Sequence, residues 1–289
     1  MIGKKNILIV LVLLLAFVAI SVFKYWDHSN DSNTTNDTAK TDSIQKFWAY
    51  YNNATDFRLQ GKIDSSIINY QEALKINLKH EDALYYLGTM FMNSDNDKQA
   101  EASWEKLIEI NPQSERAFIQ LGNLYFCTTH VDYFHPEKSK TFFERAANLN
   151  KETLSPNLKL GEIALFQNKL KDAFGIFNKI SLMDHKNPEI FFIIGYLNWK
   201  SGDLPKATKN LGTTFELGVA AAALTEQGDK ANTSKTEITI KKQDCDLFSN
   251  WLTQNLIIPK KYNLEFEVPK VYSDFDKYLK GMQVKLSKE

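Results

Sequence analysis

Between Trp48 and about Val219 the apolar positions of the chain fall into one unit that returns five times. In the second copy, Leu84, Leu87, Gly88 and Phe91 are followed by Ala100, Trp104 and Leu107 and then by Asn111-Pro112, which predicts an amphipathic helix, a turn and a second helix. Small residues mark the first helix of each copy, helix A, at Ala54, Gly88, Gly122, Gly161 and Gly195, in steps of 34, 34, 39 and 34 residues. The second helix, B, answers with a small residue at Ser66, Ala100, Ser139, Ala173 and Ala207. A larger one follows four positions later at Tyr70, Trp104, Phe143, Phe177 and Leu211. Two antiparallel helices pack closely only where a small side chain lets their backbones approach, and ridges then enter grooves. One such pair cannot bury its apolar face alone, so the copies are expected to stack into an all-α array with a continuous core. Helix A of the first copy is expected near Ser43 to Leu59 and helix B near Ile63 to Ile76.

The turns and the one irregular spacing refine this picture. The turn between A and B carries Gly61 or Gly202 in the first and fifth copies, and Asp95 and Asn168 in the second and fourth, residue types that tolerate left-handed backbone. The third copy is longer between Tyr125 and Phe143, which places an insertion at Cys127 to Pro136. After the fourth copy His185 stands where a proline is expected, with Pro188 three residues on.

This run of large residue, Leu, Gly, aromatic, then Ala, aromatic, Ala and Pro resembles the tetratricopeptide repeat, whose period is 34 residues. The resemblance covers about five repeats and implies a helical-hairpin solenoid that binds protein or peptide partners. In such arrays the A helices line a concave groove. Carried over position by position, the resemblance places Tyr51, Tyr85, Met92, Ile119, Asn123, Phe126, Leu158, Leu165, Phe192, Tyr196 and Trp199 on that groove. The set is aromatic and apolar, suited to a peptide whose side chains enter pockets. The carboxylate clamp of chaperone-binding arrays is not carried over, because its positions hold Tyr51, Thr55, Tyr86, Arg116 and Gln120, and only Arg116 is cationic.

Outside the array, Asn6 to Phe23 is an uncharged apolar run preceded by Lys4 and Lys5 and followed by Tyr25 and Trp26. It predicts an uncleaved signal anchor over residues 1–26, the N-terminus cytoplasmic and the bulk outside, most simply on the periplasmic side of a bacterial inner membrane. A cleaved signal peptide is the rival reading, although no small-x-small site is evident. Residues 27–42 are rich in Asp, Asn, Ser and Thr and predict a flexible tether, the array then spanning 43–221. The remainder, 222–289, is expected to be a linker and capping segment. Val219 to Leu224 is a candidate start for a sixth helix, ended at Gly228. Leu247, Phe248, Trp251, Leu252 and Leu256 predict a helix, Tyr262 to Val268 a strand, and Phe275 to Met282 a short helix capped by Ser273.

Composition narrows the function classes. Lys plus Arg and Asp plus Glu both number 35 in 289 residues, which argues against nucleic acid as a partner. Cys127, His130, Asp132 and His135 are potential metal ligands crowded into the insertion, but their spacing matches no metal motif, and no cofactor is expected. Cys127 and Cys245 can pair only in an oxidising compartment. Without a phosphate loop, nucleophile elbow or zinc-helix motif, neither an enzyme nor a small-molecule substrate is expected. The sequence therefore predicts a membrane-anchored scaffold. Envelope proteins of similar layout assist assembly of cytochrome-maturation or pilus machines. Two alternatives stand: a self-occluded structural module in which the strand Tyr262 to Val268 lies in the groove, and a metal or redox carrier built on the insertion.

Overall fold

A computed structural model describes residues 4–127, 131–231, 247–257 and 267–286. Ten helices in order form five antiparallel hairpins: α1 (Lys4–Leu59) with α2 (Ile63–Ile76), α3 (Glu81–Asn93) with α4 (Asp97–Ile110), α5 (Glu115–Phe126) with α6 (Pro136–Leu149), α7 (Leu154–Phe166) with α8 (Leu170–Ser181), and α9 (Pro188–Lys200) with α10 (Leu204–Ala231). Two tail helices follow, α11 (Leu247–Leu252), continued by a π turn at Thr253–Ile257, and α12 (Val268–Leu286). Within the ten hairpin helices each packs on the next in the chain, α3 also touches α5 directly, and the two tail helices pack on α9. The fold is thus a tetratricopeptide-like stack, without a strand among the described residues.

The small residues sit where the sequence expects them. A methyl built on Gly88 would come within 2.5 Å of the Trp104 indole, one on Gly122 within 2.8 Å of the Phe143 ring, and one on Gly161 within 2.7 Å of Phe177. Close approach leaves polar groups that need partners in the dry interface. The Ser66 hydroxyl donates to the Ala54 carbonyl at 2.9 Å, Ser139 to Gly122 at 2.7 Å, and the Trp104 indole N–H to Tyr85 at 3.1 Å. The A-to-B turns are left-handed at Gly61, Asp95, Asn168 and Gly202, with φ of 70°, 58°, 58° and 85°.

A second periodic device joins one hairpin to the next. Asn77, Asn111 and Asn150 follow the B helices, and each side-chain oxygen accepts from the backbone N–H two residues on, at 3.2, 3.0 and 3.1 Å. Asp184 does the same after α8 at 2.9 Å, where the proline pattern lapses. An Asx turn reverses the chain without requiring proline.

Several expectations are corrected. Among the described residues no helix is long and apolar enough to cross a membrane, so the single-pass anchor and the extracytoplasmic placement derived from it do not hold. The apolar run is not set off as a separate span, because α1 carries it into the polar residues 27–42 and on to Leu59. Those polar residues are helical and not an irregular tether, since extending an existing helix costs far less than nucleating one. Likewise no sixth helix starts at Val219; α10 runs through Val219–Leu224 and Gly228 to Ala231. The strand expected at Tyr262 to Val268 lies outside the described residues as far as 266, and Val268 itself opens α12, which extends beyond Phe275–Met282 at both ends and takes in Ser273.

Candidate functional site

Successive A helices meet through their side chains, so their exposed edges form one face. Arg58 of α1 lies 4.3 Å over the Tyr86 ring of α3, Arg116 of α5 lies 4.7 Å over Tyr85 of α3, and Phe126 of α5 meets Phe166 of α7 edge-on at 6.0 Å. Of the groove positions, Tyr51, Tyr85, Met92, Ile119, Asn123, Leu158 and Trp199 are partly exposed, whereas Phe126, Leu165, Phe192 and Tyr196 are buried. The difference follows from what covers each.

The fourth and fifth repeats are covered by the tail. Leu158, Leu165, Phe192, Tyr196 and Trp199 all belong to a cluster completed by Phe248, Trp251, Leu252 and Leu256 around α11 and by Val271, Tyr272, Phe275 and Leu279 of α12. Phe275 stands edge-on to Phe192 at 4.9 Å and to Tyr196 at 5.0 Å. Its neighbour Asp276 accepts from the Tyr196 hydroxyl at 2.6 Å and from the Lys200 ammonium at 3.0 Å, and pairs with Lys280 at 2.7 Å. Burial would raise the Asp276 pKa, but the hydrogen bonds from Lys280, Tyr196 and Lys200 outweigh it and hold the carboxyl at about 2. Burial and the bond to Asp276 push the Tyr196 phenol well up. Farther along α12, Gln283 donates to the Phe166 carbonyl at the end of α7. Sequence periodicity found the tail's apolar residues and gave them a capping role. Their seat on the A-helix face depends on contacts across more than sixty residues, as between Tyr272 and Ala207, which no local signal carries.

In the third repeat the insertion covers the end of α5, at Phe126, and leaves Ile119 and Asn123 partly exposed. Phe134 stacks on Phe126 at 5.9 Å and meets Phe166 edge-on at 5.3 Å, while Tyr133 stacks on Tyr125 at 6.0 Å. Tyr125 donates to Glu101, whose carboxylate also takes Lys138 at 3.1 Å. Burial works against the charged form of Glu101, yet the bonds from Tyr125 and Lys138 prevail and lower its pKa. These contacts make the insertion a clasp between repeats. Of the potential metal ligands, His130 lies outside the described residues, Asp132 and His135 are exposed, and Cys127 is disulfide-bonded. Among the described residues no group of three ligating side chains could hold a metal ion. Cys245, the other cysteine of the chain, lies outside the described residues.

What stays open is the face of the first three repeats. Tyr51, Tyr70, Tyr85 and Tyr86 form a connected set, Tyr51 edge-on to Tyr70 at 5.8 Å, Tyr70 stacked on Tyr86 at 6.1 Å, and Tyr86 against Tyr85 at 5.2 Å. Trp48, 47% exposed, and His80 flank Tyr51. Burial first, with Arg116 nearby, lowers the His80 pKa and favours the neutral ring, whose Nδ1 accepts from the Ala83 N–H at 3.2 Å. Gln120 donates to the Tyr85 hydroxyl at 3.0 Å, and Arg116 pairs with Asp82 at 2.6 Å. Arg58 and Gln120 were not among the groove residues expected from the sequence. Next to Gly161 on α7, Glu162 is fully buried and pairs with Lys159 at 2.9 Å, a charged pair that an apolar reading of the face passes over.

Comparisons with known proteins agree on the architecture. No protein-family model matches the chain. Among curated proteins it is 20% identical over 169 residues to anaphase-promoting complex subunit 3 of Schizosaccharomyces pombe, covering 58% of this chain and 24% of that protein. It is 25% identical over 168 residues to the BBSome complex member BBS4 of Bos taurus, covering 58% and 31%. The chain therefore spans about a quarter to a third of the curated relatives it matches. Among solved structures it resembles a MamA protein at a TM-score of 0.53 with 19% identity, covering 66% of this chain and 97% of the other. It also resembles pilF of Pseudomonas aeruginosa at 0.51 with 18% identity, covering 65% and 88%. At these identities the likeness shows a tetratricopeptide-like fold and nothing finer.

Proposed function

We propose that this chain is a tetratricopeptide-type adaptor that binds a protein partner through the A-helix face of its first three repeats. The observation that carries the reading is the division of that face: repeats four and five are packed by the chain's own tail, while Tyr51, Tyr85, Met92, Ile119 and Asn123 remain accessible. Aromatic side chains held by neighbours lose little entropy on binding and supply much contact area, which makes them good anchors. The two curated relatives are named as members of multiprotein complexes, which supports a role in an assembly and names no partner for this chain.

The strand Tyr262 to Val268 expected to occlude the groove lies outside the described residues as far as 266, but helices α11 and α12 support occlusion of one half of the face, where they pack on the buried Phe192 and Tyr196. Occlusion has no such support in the other half. Affinity purification with the tagged chain, its Tyr85→Ala variant and its Tyr51→Ala variant tests the proposal. Partners recovered by the parent and lost by both variants support it; equal recovery by all three refutes it.

A further inference from the structure

The chain carries an example of how its A-helix face is filled. At repeats four and five the occupant presents an aromatic residue and a carboxylate side by side, Phe275 among Phe192 and Tyr196, and Asp276 on the Tyr196 hydroxyl and Lys200. The open half repeats this chemistry with different residues. It has tyrosine rings at positions 51, 85 and 86, and it has a cation at Arg58, whose guanidinium lies over Tyr86. Arg116 is neutralised by Asp82 and His80 favours its uncharged form, but among the described residues Arg58 has no carboxylate partner, and its Nε is buried without a hydrogen bond. Across α3, on the neighbouring Tyr85, Gln120 gives its amide N–H to the hydroxyl and keeps a buried Oε1 without a partner. A guanidinium donor and an amide acceptor together match the carboxylate and the backbone N–H of a bound peptide.

Building on the adaptor reading, we infer that the open half of the face recognises a partner segment in which an aromatic side chain stands next to a carboxylate, the carboxylate meeting Arg58 and the ring meeting Tyr85 and Tyr86. This differs from the chaperone-type clamp, whose cationic positions are filled here by Tyr51, Gln120 and Arg116. The selectivity resides in charge: the same segment with an amide in place of the acid leaves the partly exposed Arg58 guanidinium, whose Nε is buried, without a counter-ion.

The test is fluorescence anisotropy with the full chain and a labelled synthetic peptide of the sequence Val271 to Leu279, which contains the Phe275-Asp276 pair. A second peptide carries Asn at both of its Asp positions. The acidic peptide is expected to bind about tenfold more tightly than the amide peptide, and Arg58→Met is expected to erase that difference while retaining weak binding through the tyrosines. Equal affinity for the two peptides, with binding still lost in Tyr85→Ala, would overturn the acid preference and leave the adaptor reading standing. Binding by neither peptide also overturns the inference, and the purification experiment then judges the adaptor reading separately. A preference abolished by Lys200→Met and untouched by Arg58→Met would mean that the peptide exchanges with the tail, and that too overturns it.

Discussion

Tyr272 of the tail lies directly against Gly195 of α9, in the place where repeats two to four set an aromatic side chain from their own B helix. In those repeats Trp104, Phe143 and Phe177 cover Gly88, Gly122 and Gly161. The fifth B helix offers Leu211, and the remaining space is taken by Tyr272, whose buried hydroxyl donates to the Ala207 carbonyl at 3.1 Å. The tail therefore completes the last hairpin as well as covering it. Gly195→Ala is expected to push Tyr272 out of this seat and to destabilise the chain by about 1–3 kcal/mol, the usual range for overpacking a full core. Thermal unfolding and limited proteolysis of the tail measure both effects. Adding Tyr272→Phe removes the atom in closest conflict and is expected to recover part of the loss; a double variant no better than the single one would locate the strain elsewhere.

The carboxylate that latches α12 gives the tail a dependence on acid. Asp276 has its pKa held at about 2 in the folded chain. An unfolded Asp titrates near about 3.9, so the folded value is depressed. The contribution is therefore present above about pH 4 and is lost as the pH falls through about 2; a shift of this size corresponds to about 2–3 kcal/mol. Denaturant midpoints of the parent are expected to fall between pH 4 and 2 more steeply than those of Asp276→Asn, which begins lower at pH 7 and lacks this part of the slope. Parallel pH profiles for the two chains would show that Asp276 does not provide the latch.

The hairpins were legible in the sequence because each depends on a local, repeated steric need: a small residue under a large one, and a turn residue able to adopt positive φ. Helix α2 falls within the bounds its periodicity predicts, and Asp95 and Asn168 take the left-handed conformation expected of them. The Asx turns at Asn77, Asn111, Asn150 and Asp184 recur in every hairpin-to-hairpin connection, a device that a repeat pattern written around proline does not register. Residues 27–42 mislead because composition reports solvation, whereas helix already formed on either side decides the backbone. The site was half legible. Tyr51 and Tyr85 could be placed from helix position alone, but the burial of Tyr196 and Phe192 is set by residues beyond the array, and the part played by Arg58 rests on a ring in the next repeat.

The insertion in the third repeat is a structural clasp. Phe134 fills a corner formed by Phe126 and Phe166, linking α5 to α7, and the Tyr125 hydroxyl joins Glu101 of α4 to Lys138 of α6. Phe134→Ala is expected to cost about 3 kcal/mol by opening a cavity between the third and fourth repeats. Tyr125→Phe removes a buried donor from a charged acceptor and is expected to cost about 1.5–3 kcal/mol. Chemical denaturation measures both. If Phe134→Ala unfolds at the same midpoint as the parent, the insertion has no part in holding the repeats together.

Loss of partner binding can arise at the face itself or through the tail, and the two routes are separable. Tyr85 bears Arg116 over its ring and accepts from Gln120, so Tyr85→Ala alters the open half directly, about 2 kcal/mol of binding being typical for an aromatic anchor. Trp199 packs within the cluster that seats α12, near Tyr272 at 6.3 Å, so Trp199→Ala acts first on the tail. Tyr85→Ala is therefore expected to lose partner recovery with an unchanged unfolding midpoint of the tail. Trp199→Ala is expected to loosen the tail, seen as faster proteolysis within 267–286, while partner recovery at the open half is retained. Recovery that is lost in Trp199→Ala and kept in Tyr85→Ala would place the partner on the half of the face that the tail now fills, and would make the tail its competitor.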